Sequence, residues 1–336
     1  MALLALLAAL VATAATAGAE GPPEPGPDDA QQVGGGKDEK VVLRVSQGLP
    51  EPWHLPPDYR NPDGSFNQPS LVAQQKRRVE VLHQRLLTGF RVAETEHFLV
   101  VTDDSPRMTA QFVAWSESLY RSLCAQFGIS PSERVWDGKC LLMLFSTRRL
   151  YERHGVLFDG FNPTGAGAYF AWEARPLGQP QLVHIAIPLD RRDARRLQEL
   201  FAHEATHAFF QLYKRPVDLP VWLHEGLAEY MTVVNDASLK AKKQSWSREL
   251  VRRGRTVQDV LRATPGTTLS YPAYSVSYTL VDFLLTAGRP RFRAFIDALK
   301  SGKDQGAALR DVYGWDLYEL ERRWRRFVSD YIPRHH

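Results

Sequence analysis

The sequence predicts an α+β fold, in which an N-terminal mixed β-sheet with interspersed helices gives way to a helical lower subdomain. Two observations carry this prediction. Short apolar runs bounded by turn residues recur from about residue 97 to residue 187, and after Pro188 almost every segment has apolar residues at helical spacing. No internal repeat interrupts this division.

The elements follow in order. Residues 2–18 carry no charge and are dominated by Ala and Leu, and Ala17-Gly18-Ala19 supplies a small-x-small pattern just before Glu20. This reads as a signal peptide over residues 1–19, with export to a periplasmic, envelope-associated or secreted location. The leader has no Lys or Arg, so an uncleaved anchor is the alternative, and no Cys follows the small residues to suggest a lipoprotein. No later run is long and apolar enough to span a bilayer. Residues 20–69 read as a disordered or irregular linker, rich in Gly, Pro and Asp, with a short strand at 41–45. The folded domain is expected over 70–336.

Within it, Val79, Leu82 and Leu86 place a helix at 74–87, and Phe112, Trp115, Leu119 and Leu123 share one face of a helix at 108–127. Strands are expected at 97–102, 140–145, 168–172 and 182–187, with a short helix at 148–153. Helices then follow at 190–214, 221–233, 240–253, 274–285, 290–299 and 317–331.

Composition narrows the function classes. The net charge of +4 over 336 residues is too small to indicate a nucleic-acid partner. The basic stretches at 191–196, 252–255 and 322–326 each lie in or beside a helical segment and read as solvated faces. Cys124 and Cys140 are the only cysteines, which excludes a disulfide scaffold and a cysteine-ligated metal. They are either a bridged pair or two buried thiols.

The chemistry lies at His203-Glu204-Ala205-Thr206-His207, an H-E-x-x-H pentapeptide inside the expected helix at 190–214. Residues four apart share a helix face, so both imidazoles can direct a nitrogen at one cation. Zinc suits two imidazoles, and a third protein ligand with a water would complete a catalytic site. Glu204 lies about 100° round the helix from His203, placed to take the water's proton as general base. The pentapeptide is weak alone. Its neighbours Ala202, Ala205, Ala208 and Phe209 strengthen it, because they predict a buried helix where two histidines and a glutamate need a shared purpose.

Pro216 and Pro220 end that helix, and a second begins with Val221-Trp222-Leu223-His224-Glu225-Gly226-Leu227-Ala228-Glu229-Tyr230. Glu225 is far enough along to return past His207 as the third ligand. Glu229, one turn on, is placed either to accept a ligand histidine's outer N–H or to stand at the surface. His224 reads as a neighbour of the site or a surface residue, not a ligand.

These two blocks resemble the gluzincins, zinc peptidases with H-E-x-x-H and a glutamate ligand on the next helix. The stretch from Trp222 to Tyr230 is similar to their W-L-x-E-G-[FL]-A-x-[YF] block, and the chain from about residue 97 onward looks like the peptidase-MA-like proteins. The resemblance implies a zincin-like fold, one Zn2+ held by His203, His207 and Glu225, and a peptide or protein substrate. It also implies hydrolysis of a peptide bond by a metal-bound water. Tyr274-Ser275-Val276-Ser277-Tyr278 is similar to the family helix whose tyrosine stabilises the oxyanion, which maps onto Tyr274, with Tyr271 and Tyr278 as substitutes. No G-x-M-E-N block is present to grip a free amine, so endopeptidase is expected over aminopeptidase. Gly165-Ala166-Gly167-Ala168-Tyr169 stands where the substrate-side edge strand is expected. A catalytically inactive, zinc-stabilised binding or scaffold module of the cell envelope is the alternative.

Overall fold

The computed structural model describes residues 39–44, 54–176, 178–190, 193–267 and 269–331. The expected signal peptide at 1–19 and the first part of the linker, through residue 38, lie outside the described residues. The chain order is β1 Glu39–Arg44, α1 Gln68–Leu86, β2 Arg91–Glu94, β3 Phe98–Thr102, α2 Pro106–Phe127, β4 Cys140–Phe145 and α3 Arg148–His154. A π-helical turn, Gly155–Asp159, continues α3 and leads to β5 Tyr169–Ala174 and β6 Val183–Pro188. The rest is helical: α4 Ala194–Leu212, α5 Val221–Asn235, α6 Leu239–Arg252, α7 Gln258–Leu261, α8 Tyr271–Thr286, α9 Arg289–Lys300, α10 Gln305–Tyr313 and α11 Leu317–Tyr331. The architecture is the expected α+β arrangement, a mixed sheet with helices and then a helical C-terminal part. No helix among the described residues is long and apolar enough to cross a membrane.

The sheet order is β1-β5-β6-β4-β3-β2. β3, β4 and β6 run parallel, while β2 and β5 are antiparallel to β3 and β6. Every residue of β3 and β4 is buried, as their unbroken apolar runs require of strands covered on both faces. Phe98, Val100, Leu142, Leu144, Phe170 and Ile185 turn to one side and join the large core that includes α2 and α4. Leu99, Val101, Leu141, Met143, Tyr169 and Ala186 turn to the other and pack with residues of α1 and α3. In place of the edge strand expected at residues 165–169, residues 165–168 precede the sheet and β5 lies inside it, between β1 and β6. β1 pairs with β5 in parallel, from Glu39 beside Tyr169 to Arg44 beside Ala174.

Helix ends follow local chemistry. Ser105 caps α2 by accepting from the Met108 amide, and Asp193 caps α4 by accepting from the Arg195 and Arg196 amides. The basic stretches within the described residues pair with acids of nearby turns: Arg252 and Arg253 with Glu249, Arg322 and Arg323 with Glu319. Cys124 and Cys140 are both buried free thiols, which decides between the two readings of the pair. Burial pushes the Cys124 thiol up to about 11, so it stays protonated at neutral pH.

Candidate metal centre

The centre is built where α5 returns across α4. In α4 every residue from Phe201 to Leu212 is buried, so the polar residues of the pentapeptide are enclosed by apolar neighbours. The Nε2 atoms of His203 and His207 stand 3.0 Å apart, as the four-residue spacing dictates. From α5, Glu225 Oε2 reaches to 3.4 Å from His207 Nε2 and 3.6 Å from His203 Nε2. These three atoms converge within 4.8 Å of one another.

A divalent cation fits this donor set. Donors at zinc bond lengths in a tetrahedral site lie roughly 3.3 Å apart, close to the separations observed. Glu225 Oε2 is buried and makes no hydrogen bond, so a carboxylate oxygen is aimed at two imidazole nitrogens without a proton donor of good geometry. Burial opposes ionisation of Glu225, but His207 and His203 outweigh it and hold its carboxyl well below the usual range.

Other side chains shape the site. Glu204, also on α4, is 1% exposed. Glu229 Oε1 lies 3.8 Å from His203 Nδ1, on the far side of the ring from the convergent nitrogen and longer than a hydrogen bond. Glu229 also pairs with Lys243 of α6, so it is not the surface carboxylate of the alternative reading. His224 packs against the His207 ring, with centroids 4.2 Å apart, and Phe170 of β5 stacks on the same ring at 5.6 Å. The sequence hinted at His224 only through its place next to Glu225. Phe170 had no local signal, because it is brought in by sheet topology.

Gly226 explains how Glu225 is positioned. A Cβ on this glycine would lie 2.4 Å from the Ser277 carbonyl oxygen and 2.8 Å from its carbon, both backbone atoms of α8. Only a glycine lets α5 and α8 approach so closely. Tyr274 lies in the first turn of α8 and is partly buried. Of its substitutes, Tyr271 is 44% exposed beside Trp246, and Tyr278 is buried with its ring stacked on Tyr230.

Residues 185–330 match the family model of the Peptidase MA superfamily. This stretch is thus similar to the domain of that superfamily. It takes in α4, α5 and α8, and therefore all of the metal-centre helices. Among solved structures, the chain is similar to an M1 zinc metallopeptidase from Deinococcus radiodurans, at 14% identity and a TM-score of 0.37, with 74% of this chain and 53% of that one covered. It is also similar to a two-domain M1 zinc metallopeptidase mutant bound to L-arginine, at 16% identity and the same TM-score of 0.37, with 73% and 53% covered. The chain thus spans about half the length of these solved structures. Comparison with curated proteins gave no match.

Proposed function

We propose that this Peptidase MA-like domain hydrolyses peptide bonds with one catalytic Zn2+ held by His203, His207 and Glu225. The observation that carries the reading is the convergence of two imidazole nitrogens and a buried carboxylate oxygen, with the buried Glu204 next to His203 in the chain. When bound, zinc would act as a Lewis acid that polarises a carbonyl and lowers the pKa of water toward neutrality.

The chain's own residues supply the rest. Glu204 accepts a proton from the attacking water and delivers it to the leaving amine, a task suited to a carboxylate one residue from a ligand. Glu229 sets the orientation of His203 from its Nδ1 side, and Lys243 fixes Glu229. Phe170 and His224 pack against the His207 ring and hold its plane. Tyr274 is assigned to the developing oxyanion, because a phenol donates to charge that appears only in the transition state. The sequence lacks a G-x-M-E-N block, which favours cleavage of internal bonds over removal of terminal residues. The apolar leader at 2–18 places the activity outside the cytoplasm in this reading.

The experiment compares wild type and Glu204→Gln, both zinc-loaded, on a mixed peptide library analysed by mass spectrometry. Cleavage should fall about 10²- to 10⁴-fold with zinc content unchanged. Equal cleavage by the two proteins would reject the mechanism. Zinc binding without cleavage by either would instead identify an inactive zinc-stabilised module.

A further inference from the structure

On the opposite face of the sheet, His154, Asp159 and His184 form a second group whose donor atoms lie within 4.8 Å of one another. Asp159 Oδ2 is 3.0 Å from His184 Nε2 and 3.4 Å from His154 Nδ1. The Tyr169 hydroxyl lies beside them, 2.6 Å from Asp159 Oδ2 and 3.0 Å from His154 Nδ1. Their separations resemble those of the His203, His207 and Glu225 centre. We propose that His154, Asp159 and His184 form a second zinc site, structural in role, with the Tyr169 hydroxyl as its neighbouring polar group.

Three features support a cation here. The first is charge. The Asp159 side chain is 1% exposed, and its partners are two histidines and a phenol. No Lys or Arg among the described residues lies within ion-pair distance of Asp159. A buried carboxylate is costly without a compensating positive charge, and a divalent ion would provide it.

The second is backbone. Residues five apart in an α-helix lie about 140° apart round the axis, so a continued α3 would carry Asp159 away from His154. The chain instead widens into the π-helical turn Gly155–Asp159, and Asp159 comes to face His154. Gly155 permits this, since a Cβ there would meet the Phe161 carbonyl oxygen at 2.8 Å and Pro163 Cδ at 2.7 Å.

The third is donor chemistry and enclosure. Two imidazoles and a carboxylate are zinc ligands, and side-chain exposures of 2%, 1% and 11% for His154, Asp159 and His184 describe a closed site. Such an ion would tie the end of α3, the π-helical turn and β6 together beneath β5. Phe170, next to Tyr169 in β5, packs on His207, so the two centres would lie on opposite faces of one strand.

The test uses the full chain with the first centre removed. The double variant His203→Ala/His207→Ala is stripped with chelator, checked for native circular dichroism, and titrated with Co2+ and Zn2+. It should bind one equivalent, give the visible d–d absorption of protein-bound Co2+, and gain several degrees in Tm with Zn2+. Adding Asp159→Asn should remove all three signals. No metal uptake by the folded double variant, or uptake unaffected by Asp159→Asn, would overturn the proposal. Should the double variant fail to fold, the metal content of wild type and Asp159→Asn decides: loss of one equivalent supports the site, and equal content overturns it.

Discussion

Gly226 shows how a residue without a side chain can govern a ligand next to it. The α8 backbone occupies the space where its Cβ would be, and backbone cannot retreat as the end of a flexible side chain can. Gly226→Ala should therefore push α5 from α8, lower stability by about 2 kcal/mol and displace Glu225 from the histidine nitrogens. Urea denaturation would measure the first effect and zinc affinity the second. A variant with wild-type values for both would show that the two helices can separate freely. Gly226 also illustrates what was legible at this scale: it stands in the recognised block, but the reason for glycine is a helix 51 residues further along the chain.

At the scale of elements, α4 is held at both ends. Asp193 caps its start, and at its finish the Lys300 ammonium, 0% exposed, donates to the carbonyls of Phe210, Gln211 and Val217 at 2.8, 3.0 and 2.7 Å. A cation suits the negative end of a helix dipole, and here it also satisfies carbonyls that the helix leaves over. Lys300→Met keeps the aliphatic bulk but strands those carbonyls in the interior. It should cost about 2–4 kcal/mol, read as a lower urea midpoint, while a midpoint unchanged from wild type would mean that water takes the ammonium's place. The boundaries of α4 and α5 were close to those expected from periodicity and the prolines between them. β2, α7 and α10 were not anticipated: β2 is short and mostly exposed, α7 is a single turn, and α10 depends on Asp304 capping and on Ala308 and Leu309 packing.

Over the whole molecule, stability couples to pH through groups that join distant elements. Glu117 of α2 receives the His97 backbone amide at 2.9 Å and lies 2.8 Å from His97 Nδ1, next to the start of β3. Burial opposes its ionisation, but the bonds to His97 and Thr95 prevail and hold its pKa at about 2, below the ordinary 4.5. A depressed carboxyl pKa favours the folded state above pH 4.5, and the advantage is lost as pH falls toward 2. Glu117→Gln should thus be less stable than wild type at neutral pH by about 1–2 kcal/mol, with the gap closing in acid. Denaturation midpoints from pH 7 to pH 3 would check this, and a constant gap would show that the loss is one of packing.

The sequence by itself determined the division into sheet and helical halves, and it marked His203, Glu204 and His207 through a spacing that any helix converts into a shared face. It also named Glu225, with help from a recognised block. The tertiary structure decided which atoms converge on that face and what surrounds them: His224 and Phe170 against one imidazole, and Lys243 on Glu229. It also assembled His154, Asp159 and His184, which are scattered over 31 residues with no common periodicity. The physical reason is that a helix fixes neighbours within a turn or two, whereas strand order, a π-helical turn and helix crossing bring together residues whose separation along the chain carries no signal.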